Sequence, residues 1–376
     1  MQYRDLGNTG LRVSALGFGA MRLPMEGDHV KTKEAIDIIH RAFELGLKLI
    51  DSAVMYCNNE SEITVGKALK GWRDKIVVST KNPYKGTDPK EWRALLDQSL
   101  RRLDVDYIDI YNFHGLTLEE FQKWKELTRS PIDEIKEAKG GGLIRHIGFS
   151  CHDTPENMIK LLDTGMFESM ILQYNLLDTR NEKVIAYAKE KGIGIIIMGP
   201  VGGGRLAAPS QTLMKMINKP VASTAELALR FVLSNRNVSA ALSGMSTIQM
   251  VEENVATASI EKPLMSTERR QILAALEERK KLSNLYCTGC KYCMPCPNGV
   301  DIPRNFELMN YYHLYGLEEY AKREYEQLGQ RIVEGETKPA WAAACQECGD
   351  CEEKCPQKIE VRKQLKETNA TLGSLK

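Results

Sequence analysis

The feature that most constrains the fold is a strand-helix unit repeated eight times between Val13 and Met245. Short β-rich runs, SALGFGAM, LKLIDSA, KIVVSTK, YIDIYNFH, IRHIGFSC, SMILQYNL, GIGIIIMG and VSAALSGM, alternate with helical patterns such as KEAIDIIHRAFELG and PKEWRALLDQSLRRL. The runs are apolar along their whole length instead of alternating apolar with polar, as strands buried on both faces do. Eight parallel strands, each followed by a helix, close into a (β/α)8 TIM barrel. An open doubly wound sheet is the rival, but its glycine-rich fingerprint should follow an early strand and none does. Ahead of the first unit, YRDLGNTGLRVS reads as a hairpin around Gly7 to Gly10 that plugs the N-terminal end of the barrel.

At 376 residues the chain exceeds one ordinary domain. Its 51 Lys and Arg nearly cancel its 50 Asp and Glu, which leaves no electrostatic footprint for nucleic acid or an anionic membrane. The N-terminal stretch lacks a basic region followed by an apolar run, and no span of eighteen apolar residues occurs, so a cytoplasmic protein is expected. Cysteine use marks a boundary: eight of the ten fall in two tight groups near the C-terminus, while Cys57 and Cys151 stand alone. The boundary is placed near Leu282, with a barrel over 1–282 and a smaller, mainly helical domain over 283–376.

The first group reads Cys287-x2-Cys290-x2-Cys293-x2-Cys296-Pro297, and the second Cys345-x2-Cys348-x2-Cys351-x3-Cys355-Pro356. In a reducing compartment such groups point to metal ligation over disulfides. The second has the bacterial ferredoxin spacing, in which the fourth cysteine ligates the other cluster of a pair. By that analogy Cys287, Cys290, Cys293 and Cys355 hold one [4Fe-4S] cluster, and Cys345, Cys348, Cys351 and Cys296 the other. Two four-cysteine zinc sites are the competing reading. The insert NFELMNYYHLYGLEEYAKREYEQLG between the groups, with apolar and aromatic residues at helical spacing, reads as a packing helix pair.

Barrel enzymes carry their chemistry at the C-terminal ends of the strands. Four residues stand there: Asp51 after LKLI, Tyr56 in the loop beyond it, Lys81 after KIVVST and His114 after YIDIYNF. Singly, each has a plain structural explanation as a cap, a loop aromatic, a surface charge or a core histidine. Together they place an acid, a phenol, a cation and an imidazole on one rim.

The segments LIDSAVMYCNNESEITVGKAL, VVSTK and IYNFH resemble the signature of the aldo-keto reductase family, and the likeness covers the first three-quarters of the chain. It implies a catalytic tetrad of Asp51, Tyr56, Lys81 and His114, with Tyr56 giving a proton to a carbonyl oxygen as a nicotinamide, NAD or NADP, delivers hydride. A phenol with a pKa near ~10 needs a neighbouring cation for this work, which Lys81 supplies, with Asp51 holding the ammonium and His114 orienting the substrate oxygen. It also implies nicotinamide contacts from Ser150 and Gln173, with Cys151 where the family usually has Asn, and stacking on Tyr174. The turn Gly202, Gly203, Gly204 after strand seven can approach a pyrophosphate closely. Ser243, Gly244, Met245, Gln249, Glu253 and Asn254 fall on the adenosine-binding segment after strand eight. That segment lacks the Lys or Arg with which relatives grip the 2′-phosphate of NADP, so NADH is expected to bind at least comparably to NADPH.

The cysteine domain resembles the C-terminal ferredoxin-like module of iron-sulfur aldo-keto reductases, which implies two [4Fe-4S] clusters and an electron-transfer role beside the barrel. The substrate is then a small carbonyl or alcohol compound, and a redox partner protein is a further expected contact. A rival reading is a nicotinamide-binding sensor with little turnover; steady-state oxidation of NAD(P)H with aldehydes or ketones separates the two. Loop residues after strands one, two and four, including Met21, Tyr84 and Trp124, are candidates for the pocket wall, with packing as the plainer role.

Overall fold

The computed structural model describes every residue except 218–219, 284–286, 288–289, 357 and 374–376. The chain begins with β1 (Tyr3–Asp5), β2 (Arg12–Ser14), β3 (Leu16–Gly19), a small hairpin of β4 (Met25–Glu26) and β5 (His29–Val30), α1 (Thr32–Glu44), β6 (Leu49–Asp51), α2 (Ser61–Ala68), β7 (Val77–Asn82), α3 (Pro89–Leu103) and β8 (Ile108–Phe113). There follow α4 (Leu118–Lys125), α5 (Pro131–Gly140), β9 (Ile144–Cys151), α6 (Pro155–Leu162), β10 (Ser169–Gln173), α7 (Glu182–Glu190), β11 (Gly194–Met198), α8 (Gln211–Met214), α9 (Thr224–Ser234), β12 (Ala240–Ser243) and α10 (Ile248–Ser259). The parallel strands β3 and β6 to β12 pair in chain order and close where β12 meets β3, so the expected eight-stranded barrel is what the chain forms.

Local sequence explains why the helices start where they do. Asp88 caps α3 by accepting from the Lys90 N–H, with Pro89 in the first turn. Thr117 with Glu120, and Ser130 with Asp133, form reciprocal capping boxes on α4 and α5. The plug is built from the N-terminal hairpin, where β1 and β2 pair antiparallel. Leu6 and Val13, both fully buried, meet Leu49, Ile110, Ile171, Ile196 and Ala240 from the barrel interior. Backbone must come close there: a Cβ on Gly194 would lie 2.5 Å from the Leu6 side chain, and one on Gly7 would lie 2.4 Å from the Gly192 carbonyl. Truncating Leu6 to Ala should therefore cost about 2–5 kcal/mol.

The described chain divides into two compact units, Met1–Gly203 with Ala228–Met265, and Gly204–Leu227 with Ser266–Lys376. The second contains α11 (Ser266–Ser283), α12 (Ile302–His313), α13 (Glu318–Gly329), a short hairpin of β13 (Ile332–Val333) and β14 (Glu336–Thr337), α14 (Asp350–Glu353) and α15 (Val361–Leu372). Helices α12 and α13 are the pair expected from the insert, joined by an edge-on contact of Tyr311 with Tyr320 at 5.6 Å. The expected boundary at Leu282 lies inside α11, and the second unit starts at Ser266 and also takes in Gly204–Leu227. The reason is side-chain bonding: Arg205 donates to the Tyr311 hydroxyl and Ser210 to the Tyr315 carbonyl. Among the described residues no helix is long and apolar enough to cross a membrane.

Candidate active site and cluster sites

Asp51 ends β6 and Lys81 sits one residue before the end of β7, neighbouring strands of the barrel. Both side chains are buried, and the Lys81 ammonium donates to Asp51 Oδ2 at 2.5 Å and to the Ser52 carbonyl at 2.7 Å. The other Asp51 oxygen accepts from Ser79 Oγ at 2.7 Å, and Asn112 donates to Ser79 in turn. A buried pair supported in this way offsets its desolvation with hydrogen bonds on both partners. Burial works against the charge on Lys81, but the Asp51 carboxylate, and after it Tyr56, outweigh that effect and hold the ammonium above the ordinary lysine range.

Lys81 Nζ lies 4.7 Å from the centre of the Tyr56 ring, and Tyr56 meets His114 edge-on at 5.8 Å. Both rings are half-buried, so the site opens through them while its charged pair stays covered. The loop that presents Tyr56 is strained: Cys57, Asn58 and Asn59 adopt φ of 50°, 53° and 69° in succession. Such a run in non-glycine residues persists only where the surroundings impose it. Here Ser61 Oγ and the Cys57 thiol fasten to the backbone of Ala20 and Met21, and Asn58 to that of Asp28. Burial, reinforced by Lys81, Lys85 and His152, pushes the His114 imidazole down to about 4. It is therefore neutral near pH 7 and able to donate one N–H.

The residues expected to touch a nicotinamide are distributed unevenly. Ser150 is buried, and its Oγ accepts from the Gly115 N–H at 2.8 Å, next to His114. Gln173 is half-buried against Gly199, where a Cβ would come within 2.7 Å of its amide. Tyr174 is a correction. It is fully buried, its hydroxyl donates to Glu182, and its ring stacks on Phe231 at 5.8 Å, so its ring is a core element with no face for a nicotinamide. Cys151 is likewise fully buried, and burial pushes its thiol up to about 11.

Gly202, Gly203 and Gly204 have φ of 60°, 69° and 98°, and a Cβ on either of the last two would meet nothing within 4 Å, so the turn is open for close approach of a ligand. On the segment after β12, Ser243 is buried and accepts from Asn254, Gln249 donates to Glu253, and Gly244 is exposed. Met245 is a second correction, since its side chain is fully buried and belongs to the core. One residue was missed by the sequence reading. Arg22, in the loop after β3, donates to the Gly203 carbonyl at 3.1 Å, and its stem lies over Gly244, so a cation bridges the two glycine-bearing loops. Of the pocket-wall candidates, Met21 is 57 % exposed, whereas Trp124 is buried and bonded to the Gly86 carbonyl, and the Tyr84 hydroxyl accepts from the Asp88 N–H.

In the second unit the eight clustered cysteines gather around two cavities. Cys287, Cys290, Cys293 and Cys355 line one, closed by Ile302, Phe306, Pro356, Ile359 and Val361. Cys296, Cys345, Cys348 and Cys351 line the other, which Cys293 also borders. Each cavity thus draws one cysteine from the other motif. Hydrogen bonds reach the sulfurs from the Glu347 N–H to Cys345 at 3.4 Å and from the Asn298 amide to Cys348 at 3.8 Å. The first cavity is walled mainly by apolar side chains, whereas the second also meets Asn298, Asp350, Lys354 and Arg362 and is the one whose sulfurs receive these hydrogen bonds; four thiols around each space are the ligand type that an iron-sulfur cluster takes.

Residues 15–277 match the profile of the Aldo/keto reductase family, and residues 286–360 that of the 4Fe-4S dicluster domain. The chain is 31% identical over 311 residues to L-galactose dehydrogenase of Arabidopsis thaliana, an alignment spanning 75% of this chain and 97% of that protein. It is 27% identical over 333 residues to the NADH-specific methylglyoxal reductase of Escherichia coli, covering 74% of this chain and 100% of the relative. Among solved structures it resembles the aldo-keto reductase AKR11C1 from Bacillus halodurans (TM-score 0.63, 31% identity, 73% of this chain and 96% of that one). It also resembles an aldo/keto reductase from Klebsiella pneumoniae in complex with NADP and acetate (TM-score 0.60, 25% identity, 74% and 95%). The barrel, its strand-end polar residues and both profiles agree: this chain belongs to the aldo/keto reductase family, as an NAD(P)-dependent oxidoreductase whose barrel is followed by a 4Fe-4S dicluster domain.

Proposed function

We propose that the protein transfers hydride between a nicotinamide dinucleotide and a small carbonyl or alcohol compound, with Tyr56 as the proton donor to the carbonyl oxygen. The observation that carries this reading is the buried Asp51–Lys81 pair with its ammonium 4.7 Å from the Tyr56 ring. A fixed cation there stabilises the phenolate left when the proton departs. Asp51 and the Ser52 carbonyl hold that cation in place, and neutral His114 donates to the same substrate oxygen and orients it. A bound reduced nicotinamide supplies the hydride. Ser150 and Gln173 would grip its carboxamide, Gly202 to Gly204 and Arg22 its pyrophosphate, and the segment from Ser243 to Asn254 its adenosine.

The two cysteine sets would each hold one [4Fe-4S] cluster, equipping the C-terminal domain with carriers of single electrons that can serve a redox partner protein. The test of the barrel reading is anaerobic steady-state oxidation of NADH and NADPH with a panel of aldehydes and ketones, for the wild type and Tyr56→Phe. Loss of the proton donor should lower kcat about 10²–10⁴-fold while leaving nucleotide binding nearly intact. Undiminished turnover in that variant rejects the assignment.

A further inference from the structure

Glu62 is fully buried where α2 and α3 come together on the outside of the barrel. Gly66, one turn further along α2, allows that approach: a Cβ there would lie 2.6 Å from the carbonyls of Arg102 and Leu103. Residues four apart share a helix face, so the same approach brings the Glu62 carboxylate to Arg102 of α3. Its Oε2 lies 3.7 Å from Arg102 Nη1, and its Oε1 accepts from the Thr80 hydroxyl at 2.7 Å. Burial raises the Glu62 carboxyl above its ordinary range, against Thr80, Ser99 and Arg102, which favour the charged form. A buried pair of this kind adds little net stability, so its weight falls on what it holds in place.

Both contacts of Glu62 lead to the tetrad. Thr80 stands between Ser79, which donates to Asp51, and Lys81, and strand alternation turns it outward to the helices while those two face the barrel interior. Arg102 Nη1 donates to the Val54 carbonyl at 3.2 Å. Val54 is buried in the turn that ends at Tyr56, whose N–H donates to the Ala53 carbonyl at 3.1 Å. The Val54 N–H reaches the Lys81 carbonyl at 3.5 Å, and the Ser52 N–H donates to the Ser79 carbonyl at 2.9 Å. The loop carrying Tyr56 is therefore tied to β7 by its own backbone and to α3 by Arg102.

We propose that Arg102, anchored by Glu62, is a positioning residue for the reaction: it fixes the 52–56 loop so that Tyr56 stays beside the Lys81 ammonium. This rests on the reading that Tyr56 is the proton donor. Arg102 meets the backbone of the loop, so its loss leaves all four tetrad side chains and the nucleotide contacts in the chain while loosening the geometry around Tyr56. Misplacement of a reacting group by about 1 Å lowers a rate about 10²-fold.

The test uses the full chain purified anaerobically with its iron. Arg102→Met keeps most of the side chain and removes the donor to Val54. Its kcat for carbonyl reduction should fall about 10- to 100-fold, while Kd for NADH and NADPH stays the same. Arg102→Lys should restore most of kcat, because a cation again reaches the Val54 carbonyl and Glu62. Glu62→Gln keeps an acceptor for Thr80 but not the charge facing Arg102, and should lower kcat about threefold or more, again with Kd unchanged. In a Tyr56→Phe background neither Arg102→Met nor Glu62→Gln should lower the residual kcat further, since both act through Tyr56. An unchanged kcat in folded Arg102→Met, a loss that lysine leaves unrepaired, or additive losses with Tyr56→Phe each overturns the proposal. If Arg102→Met does not fold, an unchanged kcat in Glu62→Gln, or a loss that persists undiminished beside Tyr56→Phe, overturns it in the same way. Undiminished turnover in Tyr56→Phe alone overturns the proton-donor reading, whereas loss there with indifferent Arg102 and Glu62 variants overturns this proposal alone.

Discussion

Replacing Lys81 with methionine separates what the buried ion pair does for stability from what it does for chemistry. With an effective dielectric near ~20, unit charges at the observed 2.5 Å attract by roughly 7 kcal/mol, and desolvation of both groups takes back much of that. The single variant Lys81→Met loses the attraction but keeps the cost of the buried Asp51 carboxylate, which among the described residues retains Ser79 as its one side-chain donor. Breaking a buried pair on one side costs about 3–5 kcal/mol. The double variant Asp51→Asn with Lys81→Met buries no charge at this point and should regain most of that stability. It should not regain turnover, because no cation then faces Tyr56, and kcat should stay about 10²-fold or more below wild type in both variants. Urea unfolding of the barrel and steady-state kinetics on the four proteins of the cycle provide the readout. The reasoning is refuted if Lys81→Met unfolds at the wild-type midpoint, or if the double variant reduces carbonyls as well as the wild type does.

Arg22→Ala should weaken NADH and NADPH about tenfold and equally, as loss of a charge-assisted bond to the shared pyrophosphate predicts; a fluorescence titration in which NADPH alone suffers would place Arg22 at the 2′-phosphate instead. The folded-state pKa of His114, about 4, lies below the unfolded value near ~6.5, so the unfolded chain takes up a proton that the native one refuses. Stability should therefore fall as pH drops through that window, and His114→Gln should flatten the fall in urea midpoints; an unchanged slope counts against a buried neutral imidazole. Anaerobic protein should carry about eight irons and eight acid-labile sulfides. Cys355→Ser should impair the cluster shared with Cys287, Cys290 and Cys293 and leave the other, and stoichiometric zinc without sulfide would remove the cluster reading altogether.

The barrel was legible because both-face burial leaves an unbroken apolar mark. Every barrel strand falls within its predicted run, save that β7 continues to Asn82. The positions of Asp51 and Lys81 followed from strand order, since neighbouring strands in a closed barrel bring their ends together. Side-chain direction was harder to read. Gln173 and Tyr174 are adjacent at the end of β10, and the alternation of a strand sends one toward the site and the other into the core. Met245 left the expected ligand surface for the same kind of reason. Arg22 and Gly203 are joined across 181 positions, and Arg205 and Tyr311 across 106, distances over which no local pattern announces a contact. The placement of Gly204–Leu227 with the second unit was hidden on that account.

That placement bears on why a reductase barrel carries cysteine clusters at all. Hydride transfer moves two electrons together, while a [4Fe-4S] cluster takes one, so the proposed barrel chemistry does not require cluster electrons. Helix α12 offers a different connection. It lends Ile302 and Phe306 to a cysteine cavity at one end and Tyr311 to Arg205 at the other. From Phe306 to Tyr311 is about 7.5 Å of helix at 1.5 Å per residue, short enough to act as a stiff strut. A metal site contributes folding energy to the segment that ligates it. Stabilising the cavity therefore stabilises the helix that anchors the segment after the glycine turn. On this argument a cluster in that cavity would brace α12 and the segment it holds, a structural role that needs no electrons from the barrel chemistry. Oxidative loss of iron should then appear as faster amide exchange along α12 around Phe306 and Tyr311, and unchanged exchange there would refute the strut.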